Sequence, residues 1–194
     1  MGALPPSSHA LITAPLRGAE EIRDNTAFEA ILWALSRPGE IRHLPEPGPR
    51  TILLALVDRE CRVHADDAVI GDLAAWTGAT LTPLADADHV FLSLEPGADI
   101  ARLGALKVGS ALYPDDGATV VVEARLGRAE GDGQRLSLSG PGIETTREIA
   151  VAGLPAGFFA LRDRLCRYPL GFDLFIVDGS DVIGLPRSTR IEVL

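Results

Sequence analysis

Cysteine is scarce in this chain. The two present, Cys61 and Cys166, are too few for a disulfide framework and too far apart for a C-x-x-C redox or zinc pattern, so both are expected as free thiols. Lysine is scarcer still. Lys107 is the only one, which leaves an aldehyde cofactor such as pyridoxal phosphate a single amine for a Schiff base; Lys107 is read as a surface lysine, and no cofactor is expected. Long apolar runs are missing as well. The longest, residues 51–57 and 158–161, fall far short of the about 20 residues a membrane helix needs, so no membrane span is expected. The first residues, interrupted by Pro5 and Pro6, lack the basic head and clean apolar segment of a secretory leader, and the expected compartment is the cytoplasm. No unit repeats, no G-x-G-x-x-G joins a strand to a helix, and neither H-E-x-x-H nor G-x-S-x-G occurs. These absences remove the usual signatures of a dinucleotide fold, a zinc protease and a serine hydrolase.

The chain has 194 residues, of which 46% are hydrophobic and 23% charged, values that suit one domain with a substantial core. The expected organisation is an N-terminal arm, residues 1–23, followed by a single α/β domain, residues 24–194. The net charge of -9 opposes nucleic acid and anionic lipid at long range, so neither is an expected partner and any anion site must be local. Apart from Lys107 every permanently cationic side chain is arginine, whose planar fork suits fixed bidentate contacts to carboxylates or phosphates.

Periodicity places the elements. Phe28, Ile31, Leu32 and Leu35 form one helical stripe, with Trp33 on a flanking face, that begins near Asn25 or Thr26 and stops at Ser36-Arg37-Pro38-Gly39. Residues 40–44 suggest a short strand, and residues 51–57 a helix, because Leu and Ala dominate there. Residues 61–65 suggest a strand, and Asp66 or Asp67 caps a helix carrying Val69, Ile70, Leu73 and Trp76, closed by Gly78. Residues 88–94 and the valine-rich 118–124 read as strands. The latter is expected to pair with residues 135–139 as an antiparallel hairpin across the glycine-rich turn 127–133. A helix over 158–167 and strands over 172–177, 182–185 and 189–193 complete the sheet. The expected fold is a three-layer mixed β-sheet with flanking helices.

Chemistry-bearing residues are dispersed. The groups His64-Ala65-Asp66-Asp67 and Asp88-His89 offer metal-ligating atoms, but in a spacing that an acidic chain produces by chance, and no metal is expected. Gly140-Pro141-Gly142 reads as a structural turn, since Pro141 removes a backbone donor that a phosphate nest would use. The C-terminal segment is richer. Pro186-Arg187-Ser188-Thr189-Arg190 sets two arginines and two hydroxyls before a strand, preceded by Gly171 and Asp173. Arg187, Ser188, Thr189 and Arg190 with Gly171 and Asp173 are therefore the candidate interface or anion-binding residues, against the plainer possibility that the arginines pair with Asp173, Asp178 or Asp181 within their own sheet.

Taken in order, residues 28–39 with Ser36-Arg37-Pro38-Gly39, residues 109–119 with Pro114 and Gly117-Ala118-Thr119, Ser139-Gly140-Pro141-Gly142-Ile143, and residues 168–193 with Pro186-Arg187-Ser188-Thr189 resemble the PhnH family. The resemblance covers the chain from about Thr26 to its end. It implies a subunit of the bacterial carbon-phosphorus lyase core complex, a homodimer by itself, that joins the G, I and J subunits in alkylphosphonate catabolism. It supports formation of alpha-D-ribose 1-methylphosphonate 5-triphosphate from a purine nucleoside triphosphate and a phosphonate. The resemblance also implies a fold like the large domain of pyridoxal-phosphate-dependent transferases without the cofactor, and it assigns no catalytic residue. The alternatives are a stand-alone small-molecule enzyme with dispersed site residues and a degenerate cofactor-binding fold kept as an assembly scaffold.

Overall fold

A computed structural model of the chain describes residues 16–127 and 133–194. Among them are four α-helices, α1 (Ala19–Ser36), α2 (Pro49–Leu56), α3 (Ala68–Trp76) and α4 (Phe158–Leu165). The strands are β1 (Arg42–His43), β2 (Arg62–Ala65), β3 (Thr80–Leu81), β4 (His89–Leu92), β5 (Thr119–Glu123), β6 (Arg125–Leu126), β7 (Gln134–Ser139), β8 (Arg147–Ala152), β9 (Asp173–Asp178), β10 (Asp181–Leu185) and β11 (Arg190–Val193).

Seven strands form one mixed sheet in the order β1-β10-β9-β5-β4-β2-β3, in which β10 alone runs against the other six. Its central strands β4, β5, β9 and β10 are apolar on both faces because both faces are covered. Along β5 the period of two sends Val121 to one side, where Phe91, Phe175, Val177 and Val182 meet Ile31 and Ala34 of α1, Ile52 and Leu53 of α2 and Ala74 of α3. Val120 and Val122 point the other way, with Val90, Leu174, Ile176 and Ile183, onto Leu136, Leu138 and Val151 of a second sheet and onto Phe158 and Phe159 of α4. That second sheet is antiparallel, in the order β11-β7-β8-β6. The mixed α/β class holds, but one of the flanking layers is this second sheet together with α4.

Several helices follow their sequence signals. Asp67 caps α3, its Oδ1 accepting from Val69 N at 2.8 Å and Ile70 N at 3.1 Å. Pro49 opens α2, where its missing N–H costs nothing. Helix α1 ends at Ser36 as expected, with Gly39 beyond it at φ 76°.

Its start and its buried face differ from expectation. The helix begins at Ala19 behind Gly18, and neither Asn25 nor Thr26 caps it; the Thr26 hydroxyl donates back to Ile22 O within the helix. It therefore takes in the end of the expected arm, of which residues 1–15 lie outside the described residues. The buried positions are Ala27, Ile31 and Ala34, while Phe28, Leu32 and Trp33 are each about half exposed. Close approach decides this. Gly184 of β10 sits against the α1 backbone, so the helix lies down on its small residues and turns the large ones outward.

The expected hairpin does not form. Strand β5 lies between β4 and β9, parallel to both, and β7 pairs with β8 and β11 in the other sheet. Most of the intended turn, residues 128–132, lies outside the described residues. The patterns explain the separation: β5 is buried on both sides and needs a sheet centre, whereas β7 buries Leu136 and Leu138 and leaves the residues between them less covered. Strand β8, a segment to which the sequence pattern assigns no element, is the true partner of β7.

The contact between β10 and α1 gives a direct test. A Cβ at Gly184 would lie 2.6 Å from Ala34 C and 2.7 Å from Leu35 N, backbone atoms that cannot swing aside. Gly184→Ala is expected to destabilise the protein by about 1–3 kcal/mol. Gly71 in α3 has no atom within 4 Å of the same position, and Gly71→Ala should stabilise by about 0.5–1 kcal/mol through helix propensity. Urea unfolding of the two variants beside the parent reads both signs.

Candidate functional site

Helix α4 presents Phe158, Phe159 and Arg162 to the interior. An arginine on an apolar stripe must find acceptors or leave a charge stranded. Arg162 is 1% exposed, and its guanidinium donates from Nη2 to Leu185 O at 2.8 Å and Pro186 O at 2.9 Å, and from Nη1 to Thr189 O at 3.3 Å. Its charge also lies over the Phe172 ring, 5.7 Å from the centroid. Burial pushes the guanidinium below its ordinary pKa, against weaker opposing effects of Cys166, Asp173 and Asp163. No ion pair joins Arg162 to a carboxylate among the described residues, and its Nε has no hydrogen-bond partner.

These three carbonyls lie at the end of β10 and in its link to β11, so Arg162 fixes the backbone that carries the sequence candidates. Arg187, Ser188, Thr189 and Arg190 come together with Arg162, Asp163, Arg164, Cys166, Arg167 and Tyr168 around one cavity of about 470 Å3. That is within the range of small-ligand sites. Arg187 is held in its wall: Nη2 donates to Asp173 Oδ2 at 2.7 Å, Nε to Asp173 Oδ1 at 3.3 Å, and Nη1 to Pro114 O. The pairing with Asp173 outweighs burial and raises the Arg187 pKa. Thr189 is buried and its hydroxyl has no partner. Arg164, Arg167 and Arg190 are exposed and make no ion pair or side-chain hydrogen bond to a described residue. Gly171 does not line the cavity; it lets two segments meet, for a Cβ there would lie 2.9 Å from Cys166 Sγ and 3.0 Å from Arg187 Cβ.

Sequence reasoning missed Arg162, Arg164 and Arg167 as site residues. The signal was Arg162 lying one turn after Phe158 on a core-facing stripe, a position where an unpaired charge is rare enough to ask for a reason.

The other candidate groups are engaged elsewhere. Asp66 accepts from Arg102 and from Ser93 N at 2.9 Å, with His64 Nε2 3.4 Å away. Lys107 is not a free surface lysine: its half-buried Nζ meets Asp88 Oδ1 at 2.6 Å, and Arg62 Nη2 meets the same oxygen at 3.0 Å. Burial pushes the Asp88 carboxyl up, but the bonds from Arg62 and Lys107 prevail and hold it at about 2. His89 is largely buried, which lowers its pKa, and its Nδ1 has no partner. No three His, Cys, Asp or Glu side chains converge as a metal site among the described residues. The Gly140-Pro141-Gly142 turn docks on the end of α1, where a Cβ at Gly142 would collide with Ser36 O and lie 2.9 Å from Pro38 Cδ.

Comparison with known proteins covers nearly all of this architecture. The family of bacterial phosphonate metabolism proteins described as PhnH matches residues 19–192. The chain is 34% identical over 199 residues to a Stutzerimonas stutzeri protein named "Putative C-P lyase subunit protein HtxG", with 94% of this chain and 95% of that one covered. It is 31% identical over 182 residues to the alpha-D-ribose 1-methylphosphonate 5-triphosphate synthase subunit PhnH of Rhizobium meliloti (strain 1021), with 86% and 89% covered.

The two sequence-candidate arginines differ in consequence. Arg187→Glu would face Asp173 with a second carboxylate in a half-buried site and should cost about 2–4 kcal/mol of stability. Arg190→Glu, at an unpaired exposed position, should stay within about 0.5 kcal/mol of the parent. Urea unfolding monitored by tryptophan fluorescence checks the contrast.

Proposed function

The chain belongs to the PhnH family of bacterial phosphonate metabolism proteins, and from that premise we propose that it is a subunit of the carbon-phosphorus lyase core complex. In this role it supports formation of alpha-D-ribose 1-methylphosphonate 5-triphosphate from a purine nucleoside triphosphate and a phosphonate, without a self-contained active site. The observation that carries the proposal is the cavity walled by Arg162, Arg164, Arg167, Arg187 and Arg190 in a chain of net charge -9. Guanidinium groups keep their charge at neutral pH and hold anions; they do not exchange protons as general acids and bases do. Such a wall suits binding and alignment for chemistry that other subunits supply.

The partners in this proposal are the G, I and J subunits and, for the isolated chain, a second copy. Phe28, Leu32 and Trp33 of α1, with Ile41 nearby in sequence, are large apolar side chains left about half exposed, and an apolar surface of that kind suits a protein contact. The proposed compartment is the cytoplasm, where nucleoside triphosphates are available; no described helix is long and apolar enough to cross a membrane. We treat the chain from Ala19, where α1 begins, to Leu194 as one domain, in keeping with core clusters on both faces of a shared sheet. Likeness to the large domain of pyridoxal-phosphate-dependent transferases is supported by a seven-stranded sheet with one reversed strand, β10. The engagement of Lys107 by Asp88 favours a version of that fold kept without its cofactor.

Reconstitution tests the proposal. Core subunits supplied with a nucleoside triphosphate and methylphosphonate should form the ribose methylphosphonate triphosphate, read by phosphorus NMR, only when this chain is included. The purified chain alone should form none. Product formation by the chain alone, or an undiminished yield when it is omitted, would overturn the assignment.

A further inference from the structure

The cavity under α4 holds more positive charge than its surroundings neutralise. Five arginines line it, and the neighbouring carboxylates are Asp163 on the rim and Asp173 behind Arg187. Arg187 is matched by Asp173. Arg162 is not matched: its acceptors are neutral carbonyls, which satisfy its N–H groups and leave its charge. A buried cation without a counter-charge is costly, and folds seldom keep one at the edge of an open cavity without an anion to bind. Arg164, Arg167 and Arg190 add three guanidinium groups with no partner among the described residues. The buried Thr189 hydroxyl and the Arg162 Nε, both without partners, place unanswered polar atoms behind the same wall.

We propose that this cavity binds a chain of phosphates, the polyphosphate arm of a phosphorylated sugar or nucleotide, with Arg164, Arg167 and Arg190 as the contacting forks and Arg162 as the fixed charge beneath them. Three features select this ligand over a single carboxylate. The uncompensated cations are several and spread around a volume of about 470 Å3, which one carboxylate cannot reach across but linked phosphates can. Planar forks match the oxygen geometry of phosphoryl groups and bind them in bidentate fashion. The -9 field of the whole chain repels anions at long range, so a local excess of cations is needed to capture a highly charged one and selects for charge density. The inference rests on the proposed function, since a synthase that makes a 5-triphosphate must hold such an arm, and it assigns that task to this subunit.

The test uses the full chain with sodium tripolyphosphate as the probe. Isothermal titration at constant ionic strength should show one site per chain, with orthophosphate at least about tenfold weaker because fewer forks engage one phosphate. A glutamate-rich peptide should bind more weakly than tripolyphosphate. Arg164→Gln combined with Arg190→Gln should weaken tripolyphosphate at least about tenfold with an unchanged melting temperature. Arg135→Gln, on β7 and paired with Glu148, should have no effect. Should the double variant fail to fold, Arg167→Gln carries the same expectation with a single exposed change. Absence of tripolyphosphate binding, or equal binding by parent and variant, overturns the inference; tighter binding of the acidic peptide overturns it in favour of a protein partner. Co-purification with the core subunits separates the two levels. A chain that assembles but binds no tripolyphosphate loses this inference and keeps its place in the complex, whereas one that binds it but never assembles keeps the site and loses the proposed function.

Discussion

One buried guanidinium organises the C-terminal half of the molecule. Arg162 gives α4 a hydrogen-bonded hold on Leu185, Pro186 and Thr189, and those residues carry the chain from β10 in the large sheet to β11 in the small one. Leu185 ends β10, Pro186 O accepts from Thr189 N at 2.8 Å, and Thr189 stands just before β11, a crossing where a buried carbonyl left alone is costly. A single five-donor side chain reaches all three carbonyls. The geometry of the cavity follows, because Arg187, Ser188, Thr189 and Arg190 stand on that backbone.

A second set of contacts is made by glycines whose missing side chains let segments touch. Gly39 lies against Leu138 and Ile149, Gly142 against the end of α1, and Gly117 against Gly171 and Arg187. Arg147 reinforces the first of these, donating to Pro38 O at 2.8 Å and to Glu40 at 3.1 Å. The motifs that identify the family in sequence are thus contact pairs in space. Ser36-Arg37-Pro38-Gly39 meets Gly140-Pro141-Gly142, and the segment through Pro114 and Gly117 meets Gly171, Asp173 and Arg187.

Local physics in the sequence was enough for α2, for α3 with its Asp67 cap, and for the extent of β4, β5, β9 and β10. Pairing was another matter. The segments β5 and β7 both look like strands, and only the burial of both faces of β5 separates their sheets, a distinction that nearness in sequence conceals. The face of α1 was misread because large apolar residues suggest burial, while the backbone contact at Gly184 admits only Ala27, Ile31 and Ala34. For the site, the segment Arg187 to Arg190 was visible as a cluster of forks. Its completion by Arg162, Arg164 and Arg167 was not, because α4 lies a full strand pair away in the chain and the fold alone brings it across.

The dependence of this arrangement on Arg162 is open to one direct measurement, denaturant unfolding of Arg162→Met. Methionine fills much of the same space and removes the buried charge, which by itself would be neutral or favourable. It also removes the side-chain donor to Thr189 O and the Arg162 bonds to Leu185 O and Pro186 O, of which Pro186 O keeps the Thr189 N–H at 2.8 Å, at about 1–3 kcal/mol for a group that stays unsatisfied. The lost bonds should prevail, giving a variant about 1–3 kcal/mol less stable than the parent. A variant as stable as the parent, or more so, would contradict the account, because the crossing from β10 to β11 would then stand without its guanidinium.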